Sequence, residues 1–439
     1  MWHRINRLLS SPVFIVGFAF ALRMFILYWD WRFGPVPVRD HLPYGYELGQ
    51  VAKSIAAGNG FSSPLRLVDT GPTAWFTPIF PYLVAGIFKL WGTYSNTSHV
   101  VIQILNCAFA ALTIIPMYAI GKRTFGQFVA VGAAWVWVFF PMALFFPIAW
   151  VCDTTMAALF FALIFWATLT LQGARSAVAW AGYGALWAVG VLINPSILSV
   201  LPFLLGWLAW DARRSSLPWA KLSALTLVLF AIGLVPWTVR NYQVFHKLIA
   251  LRSNFGLELW LGNNADVPDS WSPWLHPNDD RDEAQEYKRM GEIAYMAEKE
   301  KDAFEFMRAH PTATLNLMIH RFAENWLNVT DSPSDTWSRA TIYSRGTLVF
   351  NSALSLLCLL GTLFAYRARN PHAIPYALVL LIFPLVFYVT HTSLRYRFPM
   401  DPIMIVLATS GVAHLASLLR TRAPREKKVE TVTHSLSAG

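Results

Sequence analysis

Apolar runs alternate with short polar joins along most of this chain. The runs fall near 12–29, 98–120, 127–146, 150–171, 177–193, 196–210, 218–237, 346–366, 373–391 and 401–420. Most approach the ~20 residues that a membrane-crossing helix needs, which predicts about ten spans. The runs 177–193 and 196–210 are short and broken at Asn194–Pro195, so they also read as one kinked feature. Two longer polar stretches interrupt the pattern, at 30–97 and 238–345. The second holds most of the acids, and in it Ile293, Met296, Phe304 and Met307 suit one face of an amphipathic helix or helix pair. The tail after Ala423 is polar and basic and is expected to be disordered. The expected fold is therefore an all-α polytopic membrane protein with interfacial helices in its first loop. Its expected parts are a transmembrane module at 1–237 that includes the loop 30–97, a helical extracytoplasmic segment at 238–345, closing spans at 346–422 and a basic cytoplasmic tail at 423–439.

Composition strengthens the membrane reading. The chain is 55% hydrophobic and 14% charged, with a mean hydropathy of +0.42, against about 25% charged in a soluble domain. The net charge of +10 would suit nucleic acid, but the basic residues sit in short clusters between apolar runs, as the positive-inside rule predicts. Arg4 and Arg7, Lys122 and Arg123, Arg175, Arg213, Arg214 and Lys221, Arg367 and Arg369, and the cluster from Arg420 to Lys428 all fall on one side if the N-terminus is cytoplasmic. Both termini are then cytoplasmic in a plasma (inner) membrane, and the two long polar stretches lie outside. The first run reads as an uncleaved span. Cys107, Cys152 and Cys358 are far apart and lack metal-binding spacing, so they read as packing residues.

The first polar stretch carries candidate chemistry. On a helix over 44–57, Tyr44, Leu48, Val51 and Ile55 line one face, and Gly58 suits the stop. Glu47 falls at the edge of that face. A carboxylate at an apolar boundary holds a proton more readily than one in bulk water, which suits a general base; an ordinary acid at a helix edge is the plainer reading. Asp40 and His41 lie just upstream. Downstream, Pro72, Pro78 and Pro81 precede a short apolar helix over 79–91 that ends at Gly92 and is too short to span comfortably. Arg23 sits inside the first run, where a charge costs roughly 2.5–3.5 kcal/mol, so it is expected to snorkel or to pair with an acid.

These stretches resemble the GT-C superfamily of membrane glycosyltransferases, in the branch of the protein O-mannosyltransferases and lipid A aminoarabinose transferases. The resemblance rests on "AKSIAAGNGF", "FTPIFPYL", "AIGKRTFG", "WVCDTTMAALFF", "VPWTVRNY" and "LRYRFPMDP", in that order. It implies a polyprenyl-phosphate-linked sugar donor and a protein or glycolipid acceptor, with transfer on the outer face. The adjacent acid pair that many relatives carry before the first interfacial helix is replaced here by Tyr44 and Gly45. The catalytic acid therefore moves to Glu47 or Asp40, with Asp153 as a further acid. Arg395, Tyr396, Arg397 and Arg240 are the candidates for holding the donor phosphate, because a guanidinium fork suits phosphate. A divalent metal held by Asp40, Glu47 and Asp153 stays open. The alternatives are a polymerase or ligase of lipid-linked glycans and a transporter. The transporter is disfavoured because no internal repeat is visible and the acids sit at the ends of the runs, not within them.

Overall fold

The computed structural model describes residues 2–33, 47–267, 270, 272–327 and 342–422. Asp40, His41, Tyr44 and the tail 423–439 lie outside them. The described chain is helical, and its strand-like pairing is one isolated bridge between Ser62 and Pro72. The helices in order are α1 (Trp2–Leu9), α2 (Pro12–Phe33), α3 (Glu47–Ala56), α4 (Ile79–Trp91), α5 (Asn96–Leu112), α6 (Ile114–Phe125), α7 (Gln127–Phe139), α8 (Pro141–Ala149), α9 (Thr154–Leu171), α10 (Ala177–Ile193), α11 (Leu201–Arg214) and α12 (Trp219–Phe245). Then follow α13 (Phe255–Gly262), α14 (Arg281–Met290), α15 (Glu292–Ala309), α16 (Pro311–Leu327), α17 (Ile342–Arg367), α18 (Ala373–Ile382), α19 (Leu385–Val389), α20 (Leu394–Arg397) and α21 (Asp401–Arg422).

Among the described residues, seven helices are long and apolar enough to cross a membrane, or eight when the bent pair α7–α8 counts as one span. The shorter α10 and the run Ala373–Val389 fall where two further spans were expected. The protein is a multi-span membrane protein. The expected break at Asn194–Pro195 is present: the Asn194 side chain accepts from Ser196 N at 3.1 Å and caps a 3-10 turn over Pro195–Val200.

The run 127–146 is not one straight span. It bends by 45° between α7 and α8. Pro141 and Pro147 have no N–H, so the carbonyls four residues earlier, Trp137 and Ala143, lose their helical donors. Arg23 of α2 supplies them. Its Nε donates to Ala143 O at 3.0 Å, its Nη2 to Trp137 O at 3.4 Å and its Nη1 to Ala19 O at 3.0 Å. Arg23 thus neither snorkels nor meets an acid. Hydrogen bonds to a charged donor contribute about 1.5–3 kcal/mol each, which offsets the insertion cost of the arginine and the cost of bare carbonyls in hydrocarbon.

The polar segment after α12 folds back over the same end of the bundle as α3 and α4. Its buried stripe on α15 is Glu292, Tyr295, Met296, Lys299 and Ala303. The expected stripe was partly misplaced, since Phe304 is 38% exposed. Apolar counting misses a face in which a lysine and a carboxylate are the buried members. Lys299 Nζ lies 2.8 Å from Glu283 of α14 and 3.9 Å from the Trp260 ring of α13. Gly256 lets α13 press against the backbone of Met296, where a Cβ would have no room.

Candidate functional site

Leu48, Gly49, Val51 and Ala52 bury one face of α3, and Gly58, at φ +88°, turns the chain away after it. Leu48 and Ala52 share a core with Phe80 and Val84 of α4. This seats Glu47, the first residue of α3, above the bundle. Its Oε1 accepts from Asn278 Nδ2 at 2.7 Å and faces His276 Nε2 at 3.3 Å.

The Pro-rich loop is gripped from both sides. Arg240 of α12 donates to Thr73 O at 2.6 Å and to Phe61 O at 2.7 Å. Glu292 of α15 accepts from Ala74 N at 2.7 Å, Ser253 Oγ at 2.6 Å and Tyr287 Oη at 2.6 Å, and also from Thr73 Oγ1. The same grip fixes the turn 250–254: Ser253 N donates to Ala74 O at 2.9 Å, and Trp237 Nε1 to Leu251 O at 2.5 Å. Arg252, between these anchors, makes no hydrogen bond or ion pair among the described residues, and the electrostatic reach of its charge covers Asp153 and Glu258.

Asp153 precedes α9 but makes no capping hydrogen bond to it. Its Oδ2 instead accepts from Asn194 Nδ2 at 3.0 Å. Burial pushes its carboxyl above the usual range, against the opposing pull of Arg395. Arg395 lies over the rings of Trp150 at 5.8 Å and Tyr396 at 5.2 Å. Beside it, His391 Nε2 meets Glu258 Oε2 at 2.6 Å. Burial alone would raise Glu258, but the hydrogen bond and charge of His391 outweigh it and hold the carboxyl down at about 2. Glu258 is therefore a fixed anion, poorly suited to take a proton at neutral pH.

Glu47, Asp153, Arg252, Glu258, His276, Arg395 and Tyr396 all line one cavity of about 650 Å³. Apolar residues line it as well, Met142, Phe145 and Phe146 of the bent helix α8 and Val386, Phe387 and Leu394. A lining that combines charged, hydrogen-bonding groups with aromatic and aliphatic ones suits an amphipathic molecule with an anionic head.

Of the residues singled out in the sequence, Glu47, Asp153, Arg395 and Tyr396 thus meet. Arg397 and Arg240 do not line the cavity. Arg397 is fully buried behind it, bonded to Asp401 Oδ1 at 2.9 Å, Asn325 O at 2.9 Å, Asn351 Oδ1 at 2.5 Å and Ser355 Oγ at 3.4 Å. Arg240 serves the Pro-rich loop. Asp40 lies outside the described residues. Arg252, Glu258 and His276 were not singled out in the sequence. All three come from the polar segment 238–345, where nothing in the residue order marks them as convergent. Among the described residues no group of three or more His, Cys, Asp or Glu side chains could hold a metal ion, so Glu47 and Asp153 do not make a metal set on their own. The cysteines are buried and free.

Residues 75–237 match the family model of the dolichyl-phosphate-mannose-protein mannosyltransferases. Among solved structures the chain is similar to the archaeal oligosaccharyltransferase AglB from Archaeoglobus fulgidus in complex with an inhibitory peptide and a dolichol-phosphate. The identity is 14%, the TM-score 0.53, and the match covers 97% of this chain and 53% of that one. The same enzyme tethered with an acceptor peptide matches at 14% identity and TM-score 0.54, over 93% of this chain and 50% of that one. ArnT from Cupriavidus metallidurans bound to undecaprenyl phosphate matches at 13% identity and TM-score 0.38, over 93% of this chain and 79% of that one, a superposition too loose to bear on the fold. No curated protein matches the chain by sequence. The chain spans about half the length of the AglB structures. The chain shares its fold with that archaeal oligosaccharyltransferase, and the part that matches the mannosyltransferase family model includes Asp153, Asn194 and the Pro-rich loop from Trp75 onward.

Proposed function

We propose that the protein is a membrane glycosyltransferase that moves a sugar from a polyprenyl-phosphate-linked donor to an acceptor hydroxyl on a protein or glycolipid. Transfer takes place on the extracytoplasmic side of the plasma (inner) membrane, the side that the lysine and arginine asymmetry assigns to the cavity. The observation that carries this reading is the convergence of Glu47, Asp153, Arg252 and Arg395 on one cavity that aromatic and aliphatic side chains also line. The match to the mannosyltransferase family model supports it, as does the similarity in fold to an oligosaccharyltransferase found with a dolichol-phosphate.

The acceptor oxygen attacks the anomeric carbon as the bond from that carbon to the phosphate oxygen breaks. Glu47 takes the acceptor's proton. The lipid phosphate leaves with the bonding electrons, and Arg395 and Arg252 stabilise its charge. Asp153, fixed by Asn194, orients the sugar and Arg395, while Phe145, Phe146 and Phe387 cradle the first lipid units. One such displacement inverts the anomeric configuration. Because the cavity draws on the bundle, on the segment after α12 and on the α19–α20 corner, the activity belongs to the whole chain.

The test is consumption of a panel of polyprenyl-phosphate sugars by purified protein, with a membrane extract as acceptor. Wild type is expected to consume one donor and Glu47→Gln none, with an unchanged melting temperature. If Asp40→Asn or Asp153→Asn is the dead variant and Glu47→Gln is active, the base is reassigned. If only diphosphate-linked oligosaccharides are consumed, the glycan-ligase reading replaces this one.

A further inference from the structure

The loop 273–280 brings a second polar group to Glu47 from a part of the chain more than 200 residues away, at Asn278 (|i−j| = 231). His276 is largely buried there, with 15% of its side chain exposed. Its ring sits edge-on to Trp75 at 5.8 Å, and Glu258 is within electrostatic reach. The decisive contact is on its other nitrogen. The backbone N–H of Asn278 donates to His276 Nδ1 at 3.2 Å. A backbone N–H can only donate, so Nδ1 must be the bare nitrogen and the ring proton must sit on Nε2. That nitrogen lies 3.3 Å from Glu47 Oε1.

We propose that His276 is a positioning residue for Glu47, a polar N–H held 3.3 Å from its carboxylate that aims it at the acceptor rather than a relay for its proton. A relay would need an empty Nε2 to receive a proton, and the Asn278 backbone keeps it filled. Asn278 completes the clamp: its Nδ2 donates to the same Glu47 Oε1, and its Oδ1 accepts from Arg66 N at 2.7 Å. The clamp leaves Oε2 of Glu47 without a described partner, as the oxygen that meets the acceptor proton. This inference rests on the reading of Glu47 as the base.

The experiment compares wild type with His276→Leu, His276→Gln, Glu47→Gln and the double variant Glu47→Gln/His276→Leu in the donor-consumption assay, with thermal melts of each. His276→Leu is expected to lower kcat about 10- to 100-fold, the range for a lost hydrogen bond to a charged group, while the donor KM changes little. Gln carries an N–H at the reach of Nε2, so His276→Gln should recover most of the loss. The double variant should match Glu47→Gln, with no further loss of any residual rate or of melting temperature beyond that of His276→Leu, because the histidine acts only through that carboxylate. A folded His276→Leu with wild-type kcat overturns the inference. If His276→Leu does not fold, His276→Gln decides: near-normal kcat supports a fixed donor, and a loss as deep as that of Glu47→Gln overturns it in favour of a relay. Full activity in Glu47→Gln would instead overturn the reading of Glu47 and leave no base for His276 to position.

Discussion

Two arginines stand two residues apart on α20 and have opposite fates. Arg397 is fully buried and bonded to Asp401, Asn325, Asn351 and Ser355. Arg395 faces the cavity, and its hydrogen bonding among the described residues is one long contact, to Tyr396 Oη at 3.5 Å. Both are arginines near a charged surface, and both would suit a phosphate by type alone. What separates them is whether the donors of the guanidinium are already used. A saturated buried arginine holds segments together, and an unsaturated one lining a cavity is available to a ligand.

The largest expected effect tests the first half of that contrast. Arg397→Ala leaves Asp401 as an unpaired buried charge, which costs about 3–5 kcal/mol. Yield and melting temperature in detergent should collapse; a variant that melts normally would break the comparison. Arg395→Ala should melt close to wild type and raise the donor KM about 10- to 100-fold, as expected for one lost charged contact. Loss of folding instead would make Arg395 a second structural arginine. Arg240→Ala removes the donors to Thr73 O and Phe61 O. It should destabilise by about 1–3 kcal/mol, read as a lower melting temperature that a saturating donor partly restores.

The smallest effect is a pH dependence at the Glu258–His391 pair. Glu258 is depressed in the folded protein to about 2, below the ordinary carboxylate value of about 4.3. Its contribution to stability is therefore complete above the unfolded value and is lost as pH falls toward the folded one. The melting temperature of wild type should drop across that acidic window, and Glu258→Gln should show a shallower drop. Equal slopes would mean that the pair with His391 adds nothing to the fold.

The sequence carried much of the fold. Each expected run lies on helix, because apolar length and proline breaks are local signals. Gly92, at φ +93°, ends α4 where expected. The bend inside 127–146 was also written locally, as Pro141 and Pro147, but its consequence was not. Only the packed structure shows that Arg23, more than 100 residues away, donates to the two carbonyls that lose their donors four residues on to those prolines.

The candidate site divides the same way. Asp153 is visible as an acid at the start of an apolar run, and Glu47 as an acid at the edge of an apolar helix face, places where an acid stands out. Arg397 could have been separated from Arg395 by one feature of the sequence, Asp401 four residues on, at the spacing that lets helical side chains pair. Arg252, Glu258 and His276 could not have been found, since a polar residue in a polar segment carries no contrast. By itself the sequence determined that this is a helical membrane protein with acids and arginines at the ends of its spans, because hydropathy and proline act within a few residues. Which of those groups meet, which arginine keeps free donors, and which nitrogen of His276 holds the proton were decided only by tertiary structure, because each depends on a partner distant in the chain.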